Sequence, residues 1–308
     1  MSRIHEALKK AELERAASQG GAGAVQSEEM NATPAQEYGS PLMAGMPAPA
    51  VSAGPSFAAA YSFDALLARC PQGSWRPDPK TMLFFGSDEQ AYGTEEFRTL
   101  RSRLYQLREK QGIRKLLISS SLPKEGKSFV AANLAQVIVR QQGRRVLLID
   151  ADLRGPQLHN NFGTTSTPGL AEYLRGEMDE FGVMQRGPME NLFFIPSGKA
   201  MTNPGELVAN GRLKFLLSRV EPLFDWIIID SPPAVPVSDA ALLANYCDGV
   251  LMVVRSNATP FDIARKARQE FNGKNLIGVV LNGIEAGSSP YTEYYYSAYG
   301  RPNGKAEA

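Results

Sequence analysis

Short apolar runs recur along the chain from Arg114 onward: KLLIS (115–119), RVLLID (145–150), LFFIP (192–196), WIIID (226–230), VLMVV (250–254) and LIGVVLN (276–282). A run that is apolar at successive rather than alternate positions suits a strand covered on both faces. The stretches between them each have room for at least one helix, as at 127–141, 204–219, 238–246 and 259–271. Strand alternating with helix predicts an α/β fold, a doubly wound and mostly parallel sheet of about six or more strands. Upstream, TEEFRTLRSRLYQLREKQ (94–111) sets Phe97, Leu100, Leu104 and Leu107 at near-helical spacing, with acidic residues first and basic ones later. That order complements the helix macrodipole, so an amphipathic helix opens the main domain.

The pattern changes towards the N-terminus. Ile4, Ala7, Leu8 and Ala11 form a narrow apolar stripe, which predicts a short helix over 1–15 that is marginal on its own. From 16 to 60, 29 of 45 positions are Ala, Gly, Pro or Ser and none is Lys or Arg. Such a stretch cannot repay its ordering entropy and reads as a flexible tether. The expected organisation is therefore a helix (1–15), a linker (16–60), a P-loop domain (61–290) and a tail (291–308).

Composition narrows the function. Lys and Arg number 33 against 32 Asp and Glu in 308 residues, so no global positive field exists to hold nucleic acid or an anionic membrane by charge. Cys70 and Cys247 sit in dissimilar contexts, and with 2 His they cannot assemble a Cys/His zinc site. No stretch approaches the roughly 18 apolar residues that span a bilayer, and the N-terminus lacks the apolar core of a signal peptide. These features place the protein inside the cell.

The strongest chemical signal is SSSLPKEGKS (119–128), which leaves one expected strand and enters the next expected helix. A loop so placed aims backbone N–H groups and a helix N-terminus at an anion, while Lys127 reaches outer phosphates and the Ser128 hydroxyl can ligate Mg²⁺. The strict phosphate-loop pattern fails at its first glycine, where Ser121 stands. An ordinary glycine turn would be the alternative, but such a turn has no need of Gly126-Lys127-Ser128. Asp150 and Asp152 follow the second run, and in extended chain they would face the same way. Asp230 ends another run. Carboxylates at strand ends lie where ligands of open α/β sheets bind, although one such Asp alone is also a common helix N-cap.

Together, SSSLPKEGKSFVAANLA, VLLIDADLRGPQLH and FDWIIIDSPPAVPVSDA resemble the Walker A, A′ and B motifs of the bacterial tyrosine kinases, the BY-kinases tied to polysaccharide synthesis and export. TPGLAEYLRGE, IPSGKAMTNPGELV, CDGVLMVVRSNATP and GVVLNGI look like segments of the same family, so the resemblance covers about 90–300. The opening MSRIHEALKKAE is similar to cytoplasmic members that lack a fused membrane module. MinD/ParA-like ATPases share the three motifs and supply the rival reading, an ATPase switch that positions a membrane complex. Their signature lysine would fall at Leu122, and Lys124 is two residues out of register. Lys124 itself stands where this family commonly has a small residue.

The resemblance implies an ATP- and Mg²⁺-dependent protein-tyrosine autokinase. It implies nucleotide contacts from Ser121, Pro123, Lys124, Glu125, Gly126, Lys127, Ser128, Phe129 and Asn282. Ser128 and Asp152 would hold the metal, Asp230 would do so directly or through water, and Asp150 would orient or deprotonate the incoming tyrosine hydroxyl. The acceptors would be Tyr291, Tyr294, Tyr295, Tyr296 and Tyr299, five of the chain's 11 tyrosines within nine residues of a polar tail. The other reading of that cluster is an aromatic strand docked on the domain or a partner. Glu95, Arg98 and Arg101 match the family's E-x-x-R-x-x-R, which joins subunits into a ring; apart from the family they would read as a solvated stripe. Further implied partners are a transmembrane polysaccharide co-polymerase that docks the N-terminal helix and a protein-tyrosine phosphatase. The expected location is cytoplasmic, at the inner face of the plasma membrane through that partner.

Overall fold

The apolar runs become one sheet of seven strands: β1 (Lys115–Ser120), β2 (Val146–Asp150), β3 (Gln185–Arg186), β4 (Leu192–Ile195), β5 (Trp226–Asp230), β6 (Gly249–Arg255) and β7 (Leu276–Asn282). Their spatial order is β3-β4-β2-β5-β1-β6-β7. Every pairing is parallel except that of β3 with β4. The structure, a computed structural model, describes residues 62–85 and 93–284. The expected N-terminal helix, its linker and the tyrosine cluster lie outside the described residues.

Ten helices are described: α1 (Phe63–Arg69), α2 (Thr94–Gln111), α3 (Lys127–Val139), α4 (Leu158–Phe162), α5 (Leu170–Arg175), α6 (Glu180–Val183), α7 (Pro204–Ala209), α8 (Arg212–Val220), α9 (Asp239–Ala244) and α10 (Phe261–Glu270). Alternate residues of the strands enter two different cores, because successive side chains point to opposite faces. Leu116, Ile118, Leu148 and Ile228 pack with α2, α3 and α4, whereas Leu117, Leu147, Ile149 and Ile229 pack with α1 and α5–α10. This burial on both faces is why β1, β2, β4, β5 and β6 read as continuous apolar runs.

Two details go beyond the sequence pattern. The stretch 204–219 is two helices, since Gly211 takes φ +82 and turns the chain between α7 and α8. The two-residue β3 was not foreseen, because Gln185 and Arg186 carry no apolar pattern and pair antiparallel only through tertiary contact.

α3 is buried on nearly every side, as its apolar composition requires. Its two buried amides have work to do: Asn133 Oδ1 accepts the Leu83 N–H at 2.8 Å and Gln136 Oε1 accepts the Phe84 N–H at 3.3 Å. They fix the segment at 81–85 across the helix. At the other end of the sheet, strand register sets three residues side by side. Asp150 of β2 stands opposite Asp230 of β5, which stands opposite Ile118 of β1.

Candidate active site

The loop from β1 to α3 passes directly over this strand-end row. Gly126 caps α3 with φ +94 and offers no side chain, so the first amides of the helix point outward without a side-chain cap. A Cβ there would collide with the Asn282 amide, whose Nδ2 donates to the Glu125 carbonyl at 2.9 Å. Glycine is therefore required twice over, by backbone and by space. Glu125 is buried and laces the loop: its Oε2 accepts the Leu122 N–H at 2.8 Å, and its Oε1 accepts the Thr259 hydroxyl. Arg255 Nη1 donates to the Lys124 carbonyl at 3.4 Å.

The departures at Ser121 and Lys124 now have explanations. Positive φ among the described non-glycine residues occurs at Lys124, Asn191 and Asn257, so Ser121 keeps an ordinary backbone and no glycine is needed there. Lys124 has φ +66, which is why a small residue suits that position. Its side chain is exposed, as is Pro123.

Lys127 is 9% exposed, and its Nζ lies 2.8 Å from Asp152 Oδ2 and 3.4 Å from Ser128 Oγ. Burial pulls the pKa of this ammonium down, but Asp230, Asp152 and Asp150 outweigh it and hold it raised. Asp150 is wholly buried, and its oxygens take the amides of Asp152 at 3.3 Å and Leu158 at 3.2 Å. β2 stops at Asp150, although the Ala151 N–H still donates to the Asp230 carbonyl at 2.8 Å, and Asp152 follows before the chain bends at 153–155. Burial first, then Asp230 and Asp152, push the Asp150 carboxyl well above its usual range. Burial likewise raises Asp230 to about 6, against the pull of Lys127 and Ser128. Ser128 and the Ser231 amide lie near enough to bias Asp230, yet neither gives an Asp230 oxygen a hydrogen bond of normal length and angle.

Asp230 is thus a fully buried carboxylate whose two oxygens lack a donor. A hard cation or its bound water is what such oxygens fit. Three carboxylates against one ammonium leave a net charge that a divalent cation would balance. Among the described residues, no three His, Cys, Asp or Glu side chains form a metal site of their own.

The structure brings together Ser121, Glu125, Gly126, Lys127, Ser128, Asp150, Asp152, Asp230 and Asn282. Phe129 turns away, its ring 5.8 Å from that of Phe97 on α2. Glu95 pairs with Arg98 on α2, while Arg101 Nη1 donates to the Val137 carbonyl at 2.8 Å, so the helical stripe is not simply solvated. One contact escaped the sequence reading. Arg154 grips the buried Asp239 with two bonds, Nε to Oδ2 at 2.7 Å and Nη2 to Oδ1 at 3.1 Å. It ties the loop carrying Asp152 to the start of α9, and its only sequence signal is its place two residues after Asp152.

A family model described as ParA, NUBPL iron-transfer P-loop NTPase, matches residues 113–306. The tyrosine-protein kinase YwqD of Bacillus subtilis is 34% identical over 212 residues, 68% of this chain and 88% of that protein. The tyrosine-protein kinase CpsD of Streptococcus agalactiae is 33% identical over 209 residues, 67% of this chain and 90% of that protein. The kinase domain of the Escherichia coli tyrosine kinase ETK superposes with a TM-score of 0.64 at 31% identity, covering 71% of this chain and 90% of that domain.

Proposed function

We propose, from the premise that this chain belongs to the ParA-like P-loop NTPases and within them to the bacterial tyrosine-protein kinases, that it uses ATP to phosphorylate its own C-terminal tyrosines. The observation that carries the reading is the donor-free carboxylate of Asp230 beside Lys127 and Ser128, in register with Asp150. The loop amides and Lys127 bind the β- and γ-phosphates. To do so Lys127 would leave Asp152, and that carboxylate with Ser128 would hold a Mg²⁺ ion, which Asp230 would support directly or through water. Mg²⁺, when bound, neutralises charge on the phosphates.

Catalysis is then positioning and charge stabilisation. The tyrosine oxygen forms its bond to the γ-phosphorus as the bond to the β–γ bridging oxygen breaks. Asp150 orients the hydroxyl and accepts its proton, and its raised affinity for protons suits that task. Its carboxylate is enclosed, so the loop at 153–157 has to part for the hydroxyl to reach it. The acceptors are Tyr291, Tyr294, Tyr295, Tyr296 and Tyr299, delivered from a neighbouring subunit of a ring joined through Glu95, Arg98 and Arg101.

The setting proposed is polysaccharide synthesis or export, with a transmembrane co-polymerase as activator, docked by the helix at 1–15, and a phosphatase that resets the tail. The tether at 16–60 links that helix to the domain at 61–290, which ends in the tail at 291–308. None of the described helices is long and apolar enough to cross a membrane, and the kinase is held at the inner face of the plasma membrane by its partner. Phosphotyrosine mass spectrometry tests the core of this reading. The chain expressed alone should carry phosphate on the tail, and Lys127→Met should carry none. Equal phosphorylation of both would refute the assignment of the site.

A further inference from the structure

We propose that Thr259, in the turn between β6 and α10, is a positioning residue for phosphate binding: its hydroxyl holds the Glu125 carboxylate away from the amides at the start of α3, which that carboxylate would otherwise occupy in place of phosphate. The inference rests on the reading of the loop at 119–128 as the nucleotide site, and adds to it a residue from a distant part of the chain. Glu125 is the anomaly that calls for one. It places a carboxylate inside the loop that has to receive polyphosphate, it is 3% exposed, and its neighbour Gly126 begins the row of amides left without a side-chain cap. Acidic side chains cap helix N-termini, so a carboxylate is itself a good ligand for such amides.

The turn is built to present one hydroxyl. The Thr259 N–H donates to the Arg255 carbonyl at 3.1 Å, and the Arg255 N–H donates back to Thr259 Oγ1 at 3.2 Å. This ring of bonds fixes the side chain before it meets the loop, and a β-branched residue has little freedom about χ1 in any case. A hydroxyl carries a single hydrogen. With its oxygen accepting from the Arg255 amide, Thr259 has that hydrogen to give, and it goes to Glu125 Oε1. Glu125 Oε2 takes the Leu122 N–H at 2.8 Å, so both carboxylate oxygens are turned to donors outside α3.

The main chain is held on the same side. Asn282 Nδ2, at the end of β7, donates to the Glu125 carbonyl at 2.9 Å, and Arg255 Nη1, at the end of β6, donates to the Lys124 carbonyl at 3.4 Å. The Ser256 N–H donates to the Asn282 carbonyl at 2.8 Å and ties the two strand ends together. In a trans peptide the N–H points opposite to the C=O that precedes it. Fixing the Glu125 carbonyl on β7 therefore turns the Gly126 N–H away from that strand. β1 stands between β6 and β5, so the amide faces the Asp230 side of the loop while the Glu125 carboxylate is kept on the other. Without the Thr259 hydroxyl, Oε1 has no donor in the turn, and the uncapped amides of α3 begin at the next residue of the chain.

The test measures, by calorimetry on the full-length chain, binding of a non-hydrolysable ATP analogue with Mg²⁺ and of inorganic pyrophosphate. Thr259→Val keeps the shape and removes the donor, and it should weaken both ligands about tenfold, the scale of a hydrogen bond to a charged group. Thr259→Ser restores the hydroxyl and should bind within about twofold of wild type. The decisive variant is the double one. With Glu125→Gln the side chain carries no charge to compete with phosphate, so Thr259→Val/Glu125→Gln should bind at least about threefold more tightly than Thr259→Val alone. A merely structural role gives the opposite, because a second lost bond loosens the loop further. Thr259→Ala repeats the comparison if valine disturbs the turn, and thermal melts of every variant report folding. Wild-type affinity in both Thr259→Val and Thr259→Ala overturns the role, as does a double variant no tighter than the single one. A serine variant as weak as valine overturns the assignment to the hydroxyl, and a loss confined to the ATP analogue, with pyrophosphate unaffected, overturns the assignment to phosphate. None of these readings depends on turnover. A wild type that binds both ligands but carries no phosphate on its tail refutes the kinase reading and leaves the Thr259 result standing, whereas a wild type that binds neither overturns both.

Discussion

Replacing Gly126 by alanine attacks the nucleotide loop at the point where backbone and packing constraints coincide. Its φ of +94 lies where side-chain-bearing residues rarely go, at a cost of about 1–2 kcal/mol. The new Cβ would also strike the Asn282 amide and displace it from the Glu125 carbonyl, and a net hydrogen bond is worth about 0.5–1.5 kcal/mol. Against this, alanine restricts the unfolded chain and returns about 0.4–1 kcal/mol. The sum is a loss of about 2 kcal/mol, or about 4–8 °C in Tm for a domain of this size. Urea denaturation of the single and double variants with Asn282→Ala gives the diagnosis. Both single changes break the same bond, so the double variant should lose about 1 kcal/mol less than the two singles added. Nucleotide affinity should fall in Gly126→Ala, because the amides at the start of α3 are re-aimed. Strict additivity, or a Gly126→Ala stability within about 0.5 kcal/mol of wild type, would refute the reasoning.

Asp150→Asn and Asp152→Asn should each lower tail phosphorylation by orders of magnitude, but only Asp152→Asn should weaken Mg²⁺-dependent nucleotide binding; Mg²⁺ titrations that leave both at wild-type values would remove both roles. Arg154→Ala strands the buried Asp239 and should cost about 2 kcal/mol, the worth of charge-assisted bonds at a half-exposed arginine. Arg154→Lys should recover less than half, as a point charge cannot make both bonds; full recovery in a melt would count against the fork. Asp150 and Asp230 both hold protons more tightly folded than unfolded; for Asp230 the stabilising contribution is complete below about pH 4 and is lost as pH rises through about 6. In EDTA the protein should therefore gain about 2 kcal/mol from Asp230 between pH 7.5 and 4.5, relative to Asp230→Asn. Parallel pH profiles for the two proteins would show that Asp230 is not held as described.

The fold was legible where one physical cause acted alone. β1, β2, β4, β5 and β6 announced themselves because burial on both faces demands unbroken apolar runs, and α2 because one face meets the core and the other meets water; β7 carries such a run at the sheet edge, where Val279 and Leu281 are exposed. The sequence was silent where structure arises from contacts distant in the chain. β3 exists because Gln185 and Arg186 meet β4, and α4, α5 and α6 are too short to show a period. Asn133 and Gln136 look misplaced in an apolar helix until the segment at 81–85 is laid across it, where they satisfy backbone N–H groups that would otherwise be buried without partners.

Site residues were legible in type and not in posture. A strand end followed by Gly-Lys-Ser names its chemistry, and carboxylates closing two other strands name a cation. Nothing in the spacing says that Asp150 and Asp230 stand in register, since that depends on the strand order β2-β5-β1. Nor does it say that Asp150 is clasped by two amides while Asp230 has no donor. The loop is the sharpest case. Measured against a pattern of glycines, Ser121 is a defect and Lys124 an oddity, but the pattern is a proxy for backbone angle. Ser121 adopts an angle that any residue tolerates, so the missing glycine costs nothing. Lys124 adopts one that favours glycine, and the loop holds it there through the Arg255 bond to its carbonyl and the Glu125 bonds on either side. The strain is confined to an exposed residue, and the uncapped amides at the start of α3 belong to Gly126 and its successors, where the sequence keeps the residues the geometry requires.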